Sequence, residues 1–581
     1  MTTSTLARIV AIAALATSLS AQQARAGGLV DLGTLGGSNS NPMDINNVGQ
    51  VVGVADAPTG SHAFLYSAGV MTDLGDLGIP SGAFLGTLLI NESGQIAGMY
   101  YGLGTTQAFL YSGGTRTDLD TPGFTNSVVL AFNDAGQILG RMNNHAFLYS
   151  GGVVTDLGAG TTAHDMNASG AVTGSMESLG DTRHAFLYSG GVMTDLGTLG
   201  GQSSSGNGIN DSGVVAGGAS TADDAVHSFV YAGGAMTDLG AFGLRLGVAV
   251  EINASGQVLS RATKKNSNSI YYYNPERGIL TAGGVSTDIG NIGGTYLSAD
   301  LLNDVGQVTG WTVPPGGAGL EDGYTYDGNI FLYSAGSIRD LGTLGGRFAY
   351  ASDINNSGQI VGVSDVPGGA QHAFIRNPEC GDGILDAVED CDDGNTRDGD
   401  CCQSDCEYTG PASTCIEATQ AVLQIKDTVS SDRDDKLKWL WQGDPIDQSD
   451  LGSPSTVTTY NLCISDSTSG TDRLVASLLI DPNTGWVDSS PDGWSYSGKP
   501  RVESGIRKLT IQTTASGAPR IKLQARGTNV PMPSSFSATE LFDQDPRLTV
   551  QLFNSTTSRC WSSEFSDAAV NSATQFRASL P

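Results

Sequence analysis

The chain has 581 residues and a net charge of −30, with 29 Lys and Arg against 59 Asp and Glu. That balance excludes a nucleic-acid binder, which needs clustered cations to neutralise phosphates; between Gly27 and Pro378 the lysines are Lys264 and Lys265 alone. With 80 glycines and 15% charged residues, the surface must be built largely from Gly, Ser, Thr, Asn and Asp.

The first stretch reads as an address. Arg8 supplies a positive start, Ile9 to Leu19 an apolar run, and Ala24-Arg25-Ala26 an A-x-A cleavage site. This is the pattern of a secretory signal peptide over residues 1–26. The apolar run is too short to span a bilayer, and no later run reaches the roughly 18 to 20 residues a spanning helix needs. The expectation is an exported protein, secreted or held at the cell surface, without membrane insertion.

From Gly27 to Pro378 the chain repeats itself, the feature to settle before any other. An apolar residue followed by Asn-x-x-Gly recurs with Asn at 46, 91, 133, 167, 210, 253, 303 and 355. Each repeat carries four short β signals. The first ends at the Asn, and the second resembles Gln359-Ile-Val-Gly-Val363. The third resembles His62-Ala-Phe-Leu-Tyr-Ser67, and the fourth Val70-Met-Thr-Asp-Leu-Gly75. Asn-x-x-Gly and the Gly-Gly or Ala-Gly pairs are hairpin-turn chemistry. Four antiparallel strands in about 40 to 45 residues is the pattern of a β-propeller blade. The chain enters with a lone fourth strand, Leu29 to Gly33, and its eighth repeat stops after the third, His372 to Arg376. Those complementary ends predict an eight-bladed propeller closed by the N-terminal strand, with no sheet edge left open there. An open β-solenoid of the same units is the alternative.

These units resemble the HAF repeats of predicted extracellular bacterial proteins. The resemblance covers residues 27–378 and implies an extracellular repeat protein, with little indication of activity.

The repeated polar residues have structural readings. His62, His145, His184, His227 and His372 share one repeat position, taken elsewhere by Gln107, Ser269 or Asn329. Equivalent positions on different blades stand apart, so hydrogen bonding between strands is expected in preference to a metal cluster. The aromatic two residues on, Phe64 through Phe374 with Tyr271 in the sixth unit, should pack between blades. Asp44-x-Asn46 and Asp353-x-Asn355 look like half of a calcium loop but lack its terminal Glu, so the Asn is read as a turn former. Asp31, Asp73, Asp118, Asp156, Asp195, Asp238, Asp288 and Asp340 are read as turn caps. H-E-x-x-H, G-x-S-x-G and P-loop motifs are absent. Departures from the repeat often mark function; they occur in the sixth unit, at Lys264, Lys265 and Tyr271 to Tyr273, and in the seventh, from Pro314 to Asp327.

Residues 379–415 hold six of the eight cysteines: Cys380, Cys391, Cys401, Cys402, Cys406 and Cys415. In an exported chain so dense a cluster is a disulfide staple, and six cysteines allow 15 pairings. The stretch resembles the Myxococcus cysteine-rich repeat, with Cys401 in place of a glycine; this suggests an additional bridge to Cys415. Asp382, Asp392, Asp393, Asn395, Asp398 and Asp400 gather hard oxygen ligands, the donor type calcium takes, and calcium is the one cofactor weighed. Plain turn chemistry is the competing reading.

Residues 416–581 return to alternating strands and read as a β-sandwich. Cys463 and Cys560, the two cysteines left over, are expected to pair. Trp439 and Trp441 share one strand face; exposed they would stack on sugars, but core packing is the expected role.

The whole is all-β: a propeller, a disulfide-rich module and a sandwich. The leading expectation is a binding or adhesion protein that recognises a glycan or extracellular protein through propeller loops, without catalysis. A polysaccharide-acting hydrolase or lyase with its site in the propeller channel is the second reading, and a passive structural surface protein the third. Carboxylates converging in the channel would favour the second.

Overall fold

The computed structural model describes residues from Gly28 to Leu580 apart from breaks, the longer being 120–125, 264–276, 318–326, 382–388, 393–400, 427–435, 499–505 and 527–546. The signal-peptide residues 1–26 lie outside the described residues, as do Lys264, Lys265, Ser269 and Tyr271 to Tyr273. The chain is all-β: among the described residues the regular elements are strands, with two 3₁₀ turns at Gln448–Leu451 and Thr514–Ser516. No helix among them is long and apolar enough to cross a membrane. The chain divides into two compact regions, which meet in sequence at Pro378 and Glu379.

In the N-terminal region the four β signals of each repeat form one antiparallel meander, for example Ser40–Ile45, Val51–Ala57, Gly60–Ser67 and Val70–Gly75. The turn between first and second strands has a single cause repeated eight times. Gly49 and its equivalents take a left-handed φ, near 80° at Gly49, a conformation open to Gly at little cost. The Asn side chain then closes the turn: Asn46 Oδ1 accepts from Gln50 N at 2.8 Å, and Asn355 Oδ1 from Gln359 N at 2.9 Å.

Each first strand packs against the first strand of the next repeat, and the last, Ala349–Ile354, packs against Ser40–Ile45 of the first. The Leu29–Gly33 strand pairs antiparallel with Gln371–Arg376, so the final sheet combines the start of the region with its end. The fifth and sixth repeats are additionally joined by one parallel pair, Val226 with Leu246.

Packing between repeats is carried by the third-strand aromatic. Phe64, Phe109, Phe147, Phe186, Phe229, Phe331 and Phe374 are fully buried. Phe147 sits with Ala97, Ala108 and Leu119 of the preceding repeat, and Phe186 with Leu139 and Ala146. Each such ring contributes about 1.5–3 kcal/mol by leaving water. Gly140, on the second strand, is what admits the ring: a Cβ there would overlap Val128 O and the Phe147 ring.

In the C-terminal region, Ile416–Lys426 crosses between two sheets. It pairs parallel with Cys560–Phe565 at Ile416 and Glu417, then antiparallel with Lys436–Gly443 after a bulge between Ala418 and Gln420. Residues alternate in and out: Leu437, Trp439 and Trp441 are buried, and they share one core with Ile464, Leu552 and Trp561 of the other sheet.

The expected Cys463–Cys560 bridge is corrected. Cys463 bonds Cys401 and Cys560 bonds Cys415, while Cys380–Cys406 and Cys391–Cys402 close the module internally. The reason is strand order. Cys463 pairs with Gln551 and Cys560 with Phe553, from opposite sides of Leu548–Asn554. Two strand spacings, about 9.5 Å, exceed the Cα separation of about 4.4–6.8 Å that a disulfide tolerates. The suggested Cys401–Cys415 bridge fails for the complementary reason: each reaches a sandwich strand instead. The two bridges lie in one cluster with Phe553, and Gln551 binds both N–H and C=O of Ala412.

Candidate functional site

The repeated polar groups of the N-terminal region are already engaged with one another. Asn46 Nδ2 donates to Asn91 O at 3.0 Å, and the same bond passes from each repeat to the next until Asn355 Nδ2 donates to Asn46 O at 3.0 Å. The eight bonds form a closed cycle, and all eight Asn side chains are buried. The five repeat histidines pair within their own sheets. His62 Nδ1 lies 3.0 Å from Asp73 Oδ1, and His145, His184 and His227 repeat the contact with Asp156, Asp195 and Asp238. His372 reaches Asp31 of the N-terminal strand, and Asn329 serves Asp340 in the seventh repeat. The same aspartates cap a turn, as where Gly75 N donates to Asp73 Oδ1 at 2.7 Å. That bond first, and His62 second, hold the Asp73 carboxyl below its ordinary pKa.

A second set of carboxylates lies on the first strands, two residues before the Asn. The position is Asp44, Leu89, Ala131, Asp165, Gly208, Glu251, Leu301 and Asp353 in turn. A bulge precedes it, between Pro42 and Asp44 in the first repeat and between Ala249 and Glu251 in the sixth, and bulges leave backbone groups unpaired. The preceding carboxylate then binds an N–H of the next repeat. Ile90 N donates to Asp44 Oδ2 at 2.6 Å, Ile209 N to Asp165 Oδ2 at 2.9 Å, Leu302 N to Glu251 Oε2 at 2.9 Å and Ile45 N to Asp353 Oδ2 at 3.1 Å.

These groups are half-buried, on first strands that pack against one another. Burial therefore raises Asp44 well above the usual carboxylate value, with the facing Asp353 charge adding to it, and raises Asp165. Glu251 is pushed up to about 8 by burial, partly opposed by the Leu302 N–H, with Asp165, Asp353 and Asp304 adding repulsion. Carboxyls do converge here, and backbone N–H groups occupy them.

One further place differs from the second and seventh repeats, though it stays close to residues 36–45 of the first. The fifth first strand, Gly200–Ile209, reads Gly-Gly-Gln-Ser-Ser-Ser-Gly-Asn-Gly-Ile, where the second has Phe84–Ile90 and the seventh Tyr296–Leu302. Small side chains leave a cleft of about 370 Å³, lined by Ser175, Arg183, Ser203 to Ser205, Asn207, Gly218, Ser220, Val226 and Val248. Ser203 N donates to Ser220 Oγ at 2.8 Å, Ser220 Oγ returns a bond to Ser203 O at 2.9 Å, and Asn207 Nδ2 donates to Ala249 O at 2.8 Å. Sequence reading pointed to the sixth and seventh repeats instead; the Gly-Ser run in a strand position was the available signal.

Of the six calcium candidates, Asp382, Asp393, Asn395, Asp398 and Asp400 lie outside the described residues. Asp392 Oδ2 accepts from Gly381 N at 2.8 Å. Glu389 is near it, but the third group of that cluster is Cys406, whose sulfur is spent in the bridge to Cys380. Trp439 and Trp441 are core residues: their indole N–H groups donate to Ser563 Oγ at 2.8 Å and Ser562 O at 3.0 Å. No stacking platform is formed by them.

No family model and no curated protein matches the chain. Among solved structures it is similar to TolB from Acinetobacter baumannii, at 14% identity and a TM-score of 0.25 over 44% of this chain and 62% of that one. It is similar to an acylaminoacyl peptidase from Pyrococcus horikoshii, at 10% identity and a TM-score of 0.35 over 73% and 61%. A PL25 ulvan lyase gives 11% identity and a TM-score of 0.31 over 60% and 96%. The chain thus spans less than two thirds of the TolB and the peptidase.

Proposed function

We propose that this chain is an exported eight-bladed β-propeller of the HAF-repeat kind, closed by its N-terminal strand and followed by a disulfide-stapled β-sandwich, and that it recognises a hydroxyl-rich ligand such as a glycan. The observation that carries the reading is the cleft beside Gly200–Ile209, where small hydroxyl and amide side chains stand at positions that the second and seventh repeats fill largely with apolar ones. The repeated His, Asn and Asp groups support it from the other side, since their bonds are spent on holding the scaffold. Export is supported by the Arg8, Ile9 to Leu19 and Ala24 to Ala26 pattern and by four disulfides, which persist in oxidising compartments. The test is an array of polysaccharides and cell-envelope fractions probed with the full mature chain. Saturable binding that Ser203→Phe abolishes is expected; binding unchanged by that exposed, cleft-filling substitution would place recognition elsewhere.

A second reading, a hydrolase or lyase acting at the propeller axis, is favoured by Glu251, a carboxyl that holds its proton near neutrality and could act as a general acid. Release of reducing ends or unsaturated sugars from a polysaccharide panel, lost in Glu251→Gln, would establish it. Turnover absent from the native chain, or unchanged in the variant, removes Glu251 as its basis.

A further inference from the structure

We infer that the cleft takes an anionic sugar, a polyhydroxylated ring bearing a carboxylate or sulfate, with Arg183 as the group that reads the charge. This rests on the recognition reading above and adds the ligand class to it.

The chain carries 59 Asp and Glu, yet none lines this cleft, and its one formal charge is the Arg183 guanidinium. Four arginines of the region have carboxylate partners: Arg116 has Asp118, Arg261 has Asp300, Arg277 has Asp288 and Arg347 has Asp327. Arg183 has no ion pair among the described residues. It is nevertheless held in place. Its Nη2 donates to Thr162 Oγ1 at 2.8 Å, Ser175 O at 3.0 Å and Gly160 O at 3.3 Å, and its Nε donates to Ser175 Oγ at 3.2 Å. All of these acceptors are neutral, Glu177 stands opposite Arg183 in the strand register without forming an ion pair with it, and Nη1 holds no hydrogen bond among the described residues. A guanidinium fixed on one side and open on the other is preorganised for an oxyanion.

The remaining lining supplies the rest of a sugar site. Ser203, Ser205, Ser220 and Asn207 line it with hydroxyl and amide groups that bond one another or the Ala249 carbonyl and keep further acceptor capacity for ring hydroxyls. Val226 and Val248 offer an apolar wall for the C–H face of the ring. Charge and hydroxyls together select a sugar acid or sulfated sugar over an inorganic anion, which needs no such wall, and over a neutral sugar, which leaves Arg183 unanswered.

The experiment is calorimetric titration of the full mature chain with digalacturonate, galactose 6-sulfate and neutral digalactose. The two anionic probes separate carboxylate from sulfate as the source of charge. At least one anionic probe should bind about tenfold or more tightly than digalactose, the scale of one charge-assisted hydrogen bond. Arg183→Met should lose that margin and Arg183→Lys should keep part of it. Ser203→Phe, at an exposed position, should abolish binding with the melting profile unchanged. If Arg183→Met proves unstable through its lost bonds to Thr162 and Gly160, the anionic-to-neutral ratio and Ser203→Phe still decide. Equal binding of neutral and anionic probes, blocked by Ser203→Phe, overturns the charge inference and leaves sugar recognition standing. No binding of any probe, or binding indifferent to Ser203→Phe, overturns both.

Discussion

At the scale of single residues, the repeat Asn does three jobs that no other side chain combines. Its Oδ1 caps the turn that follows, its Nδ2 reaches the next repeat, and its own carbonyl receives the preceding one. Asp has the same shape but presents a second oxygen where the amide donates. In Asn91→Asp that oxygen would face Asn133 O, within a buried site, and a buried acceptor left without a donor costs about 1–3 kcal/mol. Denaturant unfolding should show a loss in that range, with Asn91→Ala less damaging than Asn91→Asp at pH 7 because it buries no charge. A carboxylate tolerated as well as the amide would mean that the cycle of bonds contributes nothing.

At the scale of strands, the repeats were legible because their period-2 alternation and turn chemistry are local. The strand starts and turns follow from residues within a few positions of one another, and the His–Asp bonds and aromatic cores from the recurrence of the repeat, since their partners stand 11 residues apart or in the neighbouring repeat. What was illegible depends on partners brought from elsewhere. Cys463 and Cys560 look like a pair until Leu548–Asn554 is seen to run between them. Asp44 looked like half of a calcium loop and Glu251 carried no signal, because their partners, the Ile90 and Leu302 N–H groups, belong to the following repeat. The cleft escaped for a different reason: it is made by side chains that are too small, and an absence of bulk has no motif. The glycines of the second strands are the converse case, where smallness makes room for a neighbour. Gly140→Ala should destabilise the chain by about 1–3 kcal/mol, the range for overpacking a filled core, since Val128 O and the Phe147 ring already occupy the space. Thermal unfolding of this variant beside Gly152→Ala, where the added Cβ meets open space but the φ of 87° adds strain, separates crowding from backbone conformation; no loss in Gly140→Ala would mean that the Phe147 ring and Val128 O move aside without cost.

At the scale of the whole N-terminal region, the distribution of acids around the cycle makes one junction unlike the rest. Acids occupy the position before the Asn in the first, fourth, sixth and eighth repeats, so two are consecutive only where the eighth meets the first. There Ile45 N lies 3.1 Å from both Asp44 Oδ1 and Asp353 Oδ2, two carboxyls on one donor. The pair sits at the junction where the Leu29–Gly33 strand joins the last sheet. Two carboxylates cannot both ionise cheaply at such a site, in keeping with the raised Asp44. Because Asp44, Asp165 and Glu251 all have folded pKa values above their unfolded ones, the native state binds more protons and stability falls as pH rises. For Glu251 the loss runs from about pH 4.5, its unfolded range, to about 8, at up to about 1.4 kcal/mol per pH unit. Asp73 acts in the opposite sense: its lowered pKa gives stability that is present above the unfolded value and is lost as pH falls. The two slopes place the stability maximum on the mildly acidic side. Calorimetric melting of the full chain should show the N-terminal region most stable near about pH 5 and falling toward pH 9. Glu251→Gln keeps an acceptor for Leu302 N and carries no proton to lose, so it should flatten that fall between about pH 5 and 8. Asp134→Asn, at an exposed carboxylate, should leave it intact. A melting temperature that holds level or rises across this range would mean that the inner carboxyls ionise freely, and that the first strands do not keep water from them.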